Sequence, residues 1–260
     1  MSGLYQEFSA ALRSGRPVAL ATVLAGAPVG ASLLVRPEAP AVGDLGDPEL
    51  NRVVGRDALA ALAAGRSGIR HYGPRGEARQ EAVTLFVEAF APPPRMVVFG
   101  AVDFTAALVR VASLLGYRVV VCDARSAFAT RRRFPQADEV VVEWPERYLE
   151  RAGAELGPRD AVCVLTHDPK FDVPAIVAAL RTGVGYLGAM GSRRTHARRL
   201  ELLRALGVTD RELERLRAPI GLDIGARSPE ETAVSIAAEV IALAWGRPAP
   251  ALRDRDGPIH

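Results

Sequence analysis

The chain has 260 residues, of which 49% are hydrophobic and 24% charged, with a net charge of +3. That is an ordinary globular composition, long enough to bury a core in one or two domains. All basic residues but Lys170 are arginine, and the runs at 131–133 and 193–199 have no aromatics between them to stack bases, which argues against nucleic acid as a partner.

The first residues, Met1-Ser2-Gly3-Leu4-Tyr5-Gln6-Glu7, lack the charged and apolar regions of a signal peptide. Residues 4–13 read as a helix stopped by Gly15. The stretch 17–35 carries no charge, but its prolines and glycines suit a hairpin better than a membrane span. Strands over 18–24 and 31–35 flank an Ala25-Gly26-Ala27-Pro28 turn. Residues 57–64 form the core of a second helix, and 83–90 read as a strand. Residues 1–90 are therefore expected to form a small α+β domain. The linker at 91–94, with Pro92-Pro93-Pro94, can continue neither strand nor helix.

Beyond the prolines the pattern alternates. Strands are expected at 96–99, 118–122, 139–143, 161–165 and 185–187, with helices at 105–115, 174–181, 193–206 and 229–245. Wholly apolar strands joined by helices predict an α/β fold, a Rossmann-type parallel sheet with helices on both faces over 95–248, followed by a tail at 249–260. Cys122 and Cys163 lie inside apolar runs without a metal-spaced partner and read as buried reduced thiols, in keeping with a cytoplasmic protein.

In such a fold, ligands bind beyond the carboxyl ends of the strands. Gly100-Ala101-Val102-Asp103-Phe104-Thr105 occupies the dinucleotide-fingerprint position, but Val102 and Thr105 replace its second and third glycines. Asp123, after the second strand, stands where an acid would meet ribose hydroxyls, and nearby Arg125 could instead meet a phosphate. Thr166-His167-Asp168 ends the fourth strand with polar groups suited to ligand contact, or to a helix-starting turn capped by Asp168 or Asp172. The fifth strand runs into Gly188-Ala189-Met190-Gly191-Ser192-Arg193-Arg194. Close-approach glycines, an N-cap serine and two guanidiniums there suit an anion. Gly221-Leu222-Asp223-Ile224-Gly225 forms a tight loop, and Ser228-Pro229-Glu230-Glu231 is a capping box.

These segments, together with Phe134-Pro135-Gln136-Ala137-Asp138, run in an order that resembles the C-terminal domain of the XdhC/CoxI family, accessory proteins of molybdenum hydroxylases such as xanthine dehydrogenase. The hairpin at 17–35 resembles that family's opening. The family's usual cysteine-bearing loop is replaced by Gly43-Asp44-Leu45-Gly46-Asp47-Pro48-Glu49, and no cysteine precedes residue 122. The resemblance implies binding of the molybdenum cofactor, as molybdopterin or its dinucleotide, support of its sulfuration, and delivery to an apo molybdenum hydroxylase subunit. It also implies a cysteine desulfurase as a further partner, while the apolar hairpin and small N-terminal domain would suit a homodimer.

On this reading Gly188, Gly191, Ser192 and Arg193 hold the cofactor phosphate. Gly100 and Asp103 wall the cleft, and Asp123 and Arg125 reach the far end of a nucleotide. Thr166, His167 and Asp168 face the pterin or molybdenum end, while Gly221, Asp223 and Gly225 close the cleft. No catalytic residue and no resident metal site is expected. The alternatives are an NAD(P)-dependent oxidoreductase, disfavoured by the missing glycines, and a non-catalytic scaffold with a vestigial nucleotide site.

Overall fold

The computed structural model describes residues 2–26, 28–37, 39–78 and 80–254. Ala27 in the expected hairpin turn and the last six residues of the expected tail lie outside them. The chain divides into two units, residues 1–92 and 93–260.

In the first unit the elements are α1 (Ser2–Arg13), β1 (Val18–Ala25), β2 (Ser32–Arg36), β3 (Ala39–Gly43), α2 (Pro48–Ala64), β4 (Gly68–Tyr72) and β5 (Val83–Phe90). The strands form one antiparallel sheet ordered β3-β2-β1-β5-β4. Alternation along β1 sends Ala19, Ala21 and Val23 to one face, where Leu50, Val54 and Leu62 of α2 cover them. Val18 and Leu20 face the other way, beneath Ala11, Leu4 and Phe8 of α1. The sequence located only the second half of α2. Its start is set by Asp47, whose carboxylate accepts the Glu49 and Leu50 N–H groups, with Pro48 in the first turn.

The second unit contains β6 (Arg95–Phe99), α3 (Asp103–Leu114), β7 (Arg118–Cys122), β8 (Glu139–Val141), α4 (Pro145–Ala152), β9 (Ala161–Val164), α5 (Pro169–Leu180) and β10 (Tyr186–Ala189). It continues with α6 (Arg193–Ala205), α7 (Asp210–Leu213), β11 (Leu216–Arg217) and α8 (Pro229–Ala244). Its six strands are all parallel, in the order β11-β10-β9-β6-β7-β8. Counted within the unit and read from its other edge, that is 3-2-1-4-5-6, the doubly wound Rossmann order, whose switch point falls between β6 and β9. Val97, Phe99, Val162 and Val164 point to one face, under Tyr148 of α4, Ile176 of α5 and Leu203 of α6. Met96, Val98, Cys163 and Leu165 point to the other, under Leu108 of α3 and Ile236 of α8. Burial on both faces explains the strands' unbroken apolar character.

Candidate functional site

The carboxyl ends of β6, β9, β10 and β11 meet at the switch point, and glycines set how closely. Gly100 follows β6 with φ +109°, and a Cβ there would stand 2.7 Å from Thr166 Cγ2 and 3.1 Å from its backbone nitrogen. Its role is thus to let the ends of β6 and β9 close on each other. At Gly188 a Cβ would lie 2.5 Å from Ile220, and at Gly221 (φ +96°) 2.4 Å from Ser235 Oγ.

The first loop differs from expectation. Asp103 occupies the first turn of α3 with an exposed carboxylate paired to Arg133 at 3.3 Å. An acid complements the helix dipole there and repels phosphate, so the start of α3 is no anion seat. Phe104 carries the wall in its place. Asp123 is buried, and accepts the Ala101 N–H at 2.7 Å, the Arg125 N–H at 2.9 Å and the Arg125 guanidinium at 2.9 and 2.7 Å. Burial pushes its carboxyl up, but the Arg125 side chain and the two N–H groups outweigh that and hold it below the ordinary range. The Arg125 guanidinium also lies over Phe128 at 4.8 Å. Asp123 is thus committed to a strut that joins β7 to the Gly100 loop, while the Arg125 side chain, which braces it through Nε and Nη2, stays 44% exposed.

At the end of β9 the three polar residues separate. Asp168 is the N-cap of α5 and accepts the Lys170 N–H at 3.0 Å, so the helix-starting turn is its role rather than a ligand contact. Thr166 is buried and donates to Asp172, which is itself 1% exposed. Asp172 accepts from Arg199 Nη2 at 2.7 Å, and the same nitrogen donates to the Met190 carbonyl at 2.8 Å. This network ties α5, α6 and the ends of β9 and β10 together. His167 is exposed.

Two cavities flank His167 and Thr195, which line both. The larger, about 500 Å³, is walled by Phe104, Met190, Gly191, Ser192, Pro219, Ile220 and Thr232. The smaller, about 260 Å³, lies between α5 and α6 and is lined by Asp172, Val173, Arg194, Arg198, Arg199 and Leu202 among others. Ser192 caps α6 as the sequence predicted, its hydroxyl accepting the Thr195 N–H at 3.1 Å, and no acid stands in that helix's first turn. Of the two arginines expected at an anion, Arg194 lines the smaller cavity and Arg193 does not, while Arg198 and Arg199 join it. Positions 194, 195, 198, 199 and 202 fall on one face of a helix with 3.6 residues per turn, and Arg193 lies off that face and lines neither cavity.

The last loop closes the larger cavity through Pro219 and Ile220, while Asp223 and Gly225 are exposed and line neither. Gly221 anchors it: its N–H donates at 2.9 Å to Glu239 Oε2, which also accepts the Tyr186 hydroxyl at 2.6 Å. Leu222 adds two bonds to Ser235 of α8. Among the described residues no cluster of three or more His, Cys, Asp or Glu could hold a metal ion. Both cysteines are buried, and burial pushes the Cys122 thiol up to about 12 and the Cys163 thiol upward as well. No helix among the described residues is long and apolar enough to cross a membrane.

Residues 96–240 match the family model described as the XdhC Rossmann domain, and residues 11–73 match that of the XdhC and CoxI family. A Bacillus subtilis protein described as a probable subunit of xanthine dehydrogenase is 32% identical over 62% of this chain and 46% of its own length. An uncharacterized Escherichia coli protein, YqeB, is 28% identical over 81% of this chain and 40% of its own. The molybdenum cofactor insertion chaperone PaoD of Escherichia coli is 39% identical over 35% of this chain and 29% of its own. The chain thus spans less than half the length of the curated relatives it matches. A crystal structure described as a xanthine dehydrogenase from Bacillus halodurans superposes with a TM-score of 0.56 at 21% identity, over 95% of this chain and 97% of that one, a likeness of fold.

Proposed function

This chain belongs to the XdhC and CoxI family, and from that premise we propose that it is an accessory protein that holds the molybdenum cofactor for a maturing molybdenum hydroxylase. The observation that carries the reading is the cleft at the switch point, where the start of α6 meets an apolar wall. The cofactor is a flat pterin bearing a phosphate. Phe104, Met190, Pro219 and Ile220 offer flat and apolar surface, and Ser192, Thr195, Thr232 and His167 offer hydrogen-bonding groups beside it. A volume of about 500 Å³ suits a ligand of that size. The residues present therefore fit the group, which when bound brings the molybdenum chemistry that the recipient enzyme uses.

An NAD(P) reading finds less support, because Asp103 stands at the helix start where that cofactor's pyrophosphate would sit. The chain's only two cysteines are buried with raised thiol values, so it has no ready thiolate of its own. Sulfur for the cofactor then comes from a partner, a cysteine desulfurase, and the loaded cofactor passes to an apo hydroxylase subunit. Two unpaired thiols are in keeping with a reducing cytoplasm.

The test is cofactor content. The protein is purified from a host that makes the cofactor and assayed for molybdenum and for the fluorescent oxidised pterin, beside Ser192→Asp. Aspartate caps a helix as well as serine does, so the variant folds while setting a carboxylate into the wall of the larger cleft. Near-stoichiometric pterin in the wild type and its loss in the variant are expected. A wild type without pterin overturns the reading, and a variant that keeps it overturns the cleft.

A further inference from the structure

We propose that the pocket between α5 and α6 is the seat of a phosphoryl group, and that its ligand straddles His167 and Thr195 with the planar remainder in the larger cleft. This deepens the cofactor reading and rests on it for the ligand's identity, but the pocket itself is argued from this chain's own residues.

The first observation is Arg199. Its side chain is 3% exposed and lines the pocket. Nη2 is satisfied twice, by Asp172 at 2.7 Å and the Met190 carbonyl at 2.8 Å. Nη1 has no hydrogen-bond partner among the described residues. A buried guanidinium N–H without an acceptor is costly, and proteins rarely leave one so. Asp172 does not serve it: its Oδ2 accepts from Nη2 and its Oδ1 from the Thr166 hydroxyl. An oxyanion entering the pocket would supply the missing acceptor.

The second observation is charge. Arg194, Arg198 and Arg199 line the pocket against Asp172 alone, so three positive charges and one negative leave a formal +2. That matches a phosphomonoester, which carries about −1.5 to −2 at neutral pH. The pocket opens beside the first turn of α6, whose dipole adds in the same sense. At about 260 Å³ it has room for a phosphoryl group but not for a pterin as well.

The third observation is continuity. His167 and Thr195 line both cavities, so a ligand bearing a phosphate at one end of a flat ring system would fill the two together. The apolar wall of Phe104 and Ile220 belongs to one cavity and the three arginines to the other, a polarity split that follows the ligand's own.

The experiment is equilibrium dialysis with radiolabelled inorganic phosphate on the full chain, made in a host unable to synthesise the cofactor, at constant ionic strength in chloride. One phosphate per chain is expected. Arg194→Gln and Arg198→Gln, both on exposed side chains, should each weaken it roughly tenfold, while Arg193→Gln should leave it within about twofold. Failure of the wild type to bind, or unchanged affinity in both pocket variants, overturns the pocket even if pterin copurifies. A pterin-loaded preparation should bind no phosphate. If it still takes a full equivalent, the pocket does not hold the cargo's own phosphate. Phosphate binding by a chain that never carries pterin would keep the pocket and overturn the cofactor reading, so the two can fail separately.

Discussion

At the scale of single residues, the Asp172–Arg199 pair is the largest commitment the site makes. Both side chains are buried, at 2% and 3% exposure. Burial pushes the Asp172 carboxyl up, opposed by the Thr166 hydroxyl and Arg199. Arg199→Gln removes the arginine's share of that opposition and leaves a buried carboxylate without its ion-pair partner, which should cost about 3–5 kcal/mol near neutral pH. The carboxyl of the variant then ionises well above its unfolded value. Its stability is fully present below that unfolded value and is lost as pH rises through the folded one. The deficit should therefore shrink from pH 8 to pH 5 in urea titrations, and Asp172→Asn added to Arg199→Gln should recover most of it at pH 8. A deficit independent of pH would mean that the arginine acts by packing alone. Gly100 shows how far a sequence can be read at this scale. It looks like the first glycine of a dinucleotide loop, yet its φ of +109° and the approach of Thr166 explain it without a ligand. Gly100→Ala should lower stability by about 1–3 kcal/mol, read by chemical denaturation, whatever the chain binds.

Elements decide which residues of a motif face the ligand. The Gly191-Ser192-Arg193-Arg194 turn was legible because glycine, a capping serine and arginines are local signals. Which arginines turn inward was not, since that depends on the phase of α6 against α5. A helical projection from Ser192 would have put Arg194 and Arg198 on one face, but only packing says which face is covered. The missed elements have equally local causes. Helix α4 has eight residues, half of them charged, and β11 has two. Strand β3 carries Pro40 and, like β4, lies at the edge of its sheet, where alternation is weakly enforced. By contrast the start of α8 could be read outright, and its capping box of Ser228 and Glu231 is formed. That helix holds the cleft-closing loop through Ser235 and Glu239. Glu239→Ala should free the Gly221 N–H and the Tyr186 hydroxyl and speed amide exchange at Gly221 and Leu222, while Ser228→Ala should cost only about 1 kcal/mol, with exchange rising at the first turn of α8. Equal protection at Gly221 in wild type and Glu239→Ala would show that Ser235 alone secures the loop.

At the scale of the molecule, the alternation of strands and helices after Pro94 conveyed a Rossmann-type parallel sheet because every central strand is apolar on both faces, a pattern few other arrangements tolerate, while the strand order came only with the fold. The first unit was harder to read from sequence, since a half-covered antiparallel sheet with short edge strands carries a weaker signal. The two units also bury separate apolar clusters. Among the described residues, the clusters about α3 to α8 draw none from before Met96, and those about α1 and α2 draw none from beyond Ala91. Since cooperative unfolding follows the extent of a shared core, residues 93–260 hold all that their own transition requires. A chain beginning at Pro93 should therefore unfold in one step, with near-ultraviolet and far-ultraviolet circular dichroism changing together. It should also keep the phosphate affinity of the full chain, because Arg194, Arg198, Arg199 and the network behind them all lie within it. A fragment that showed far-ultraviolet signal without a fixed near-ultraviolet spectrum would mean that the first unit completes the second's packing.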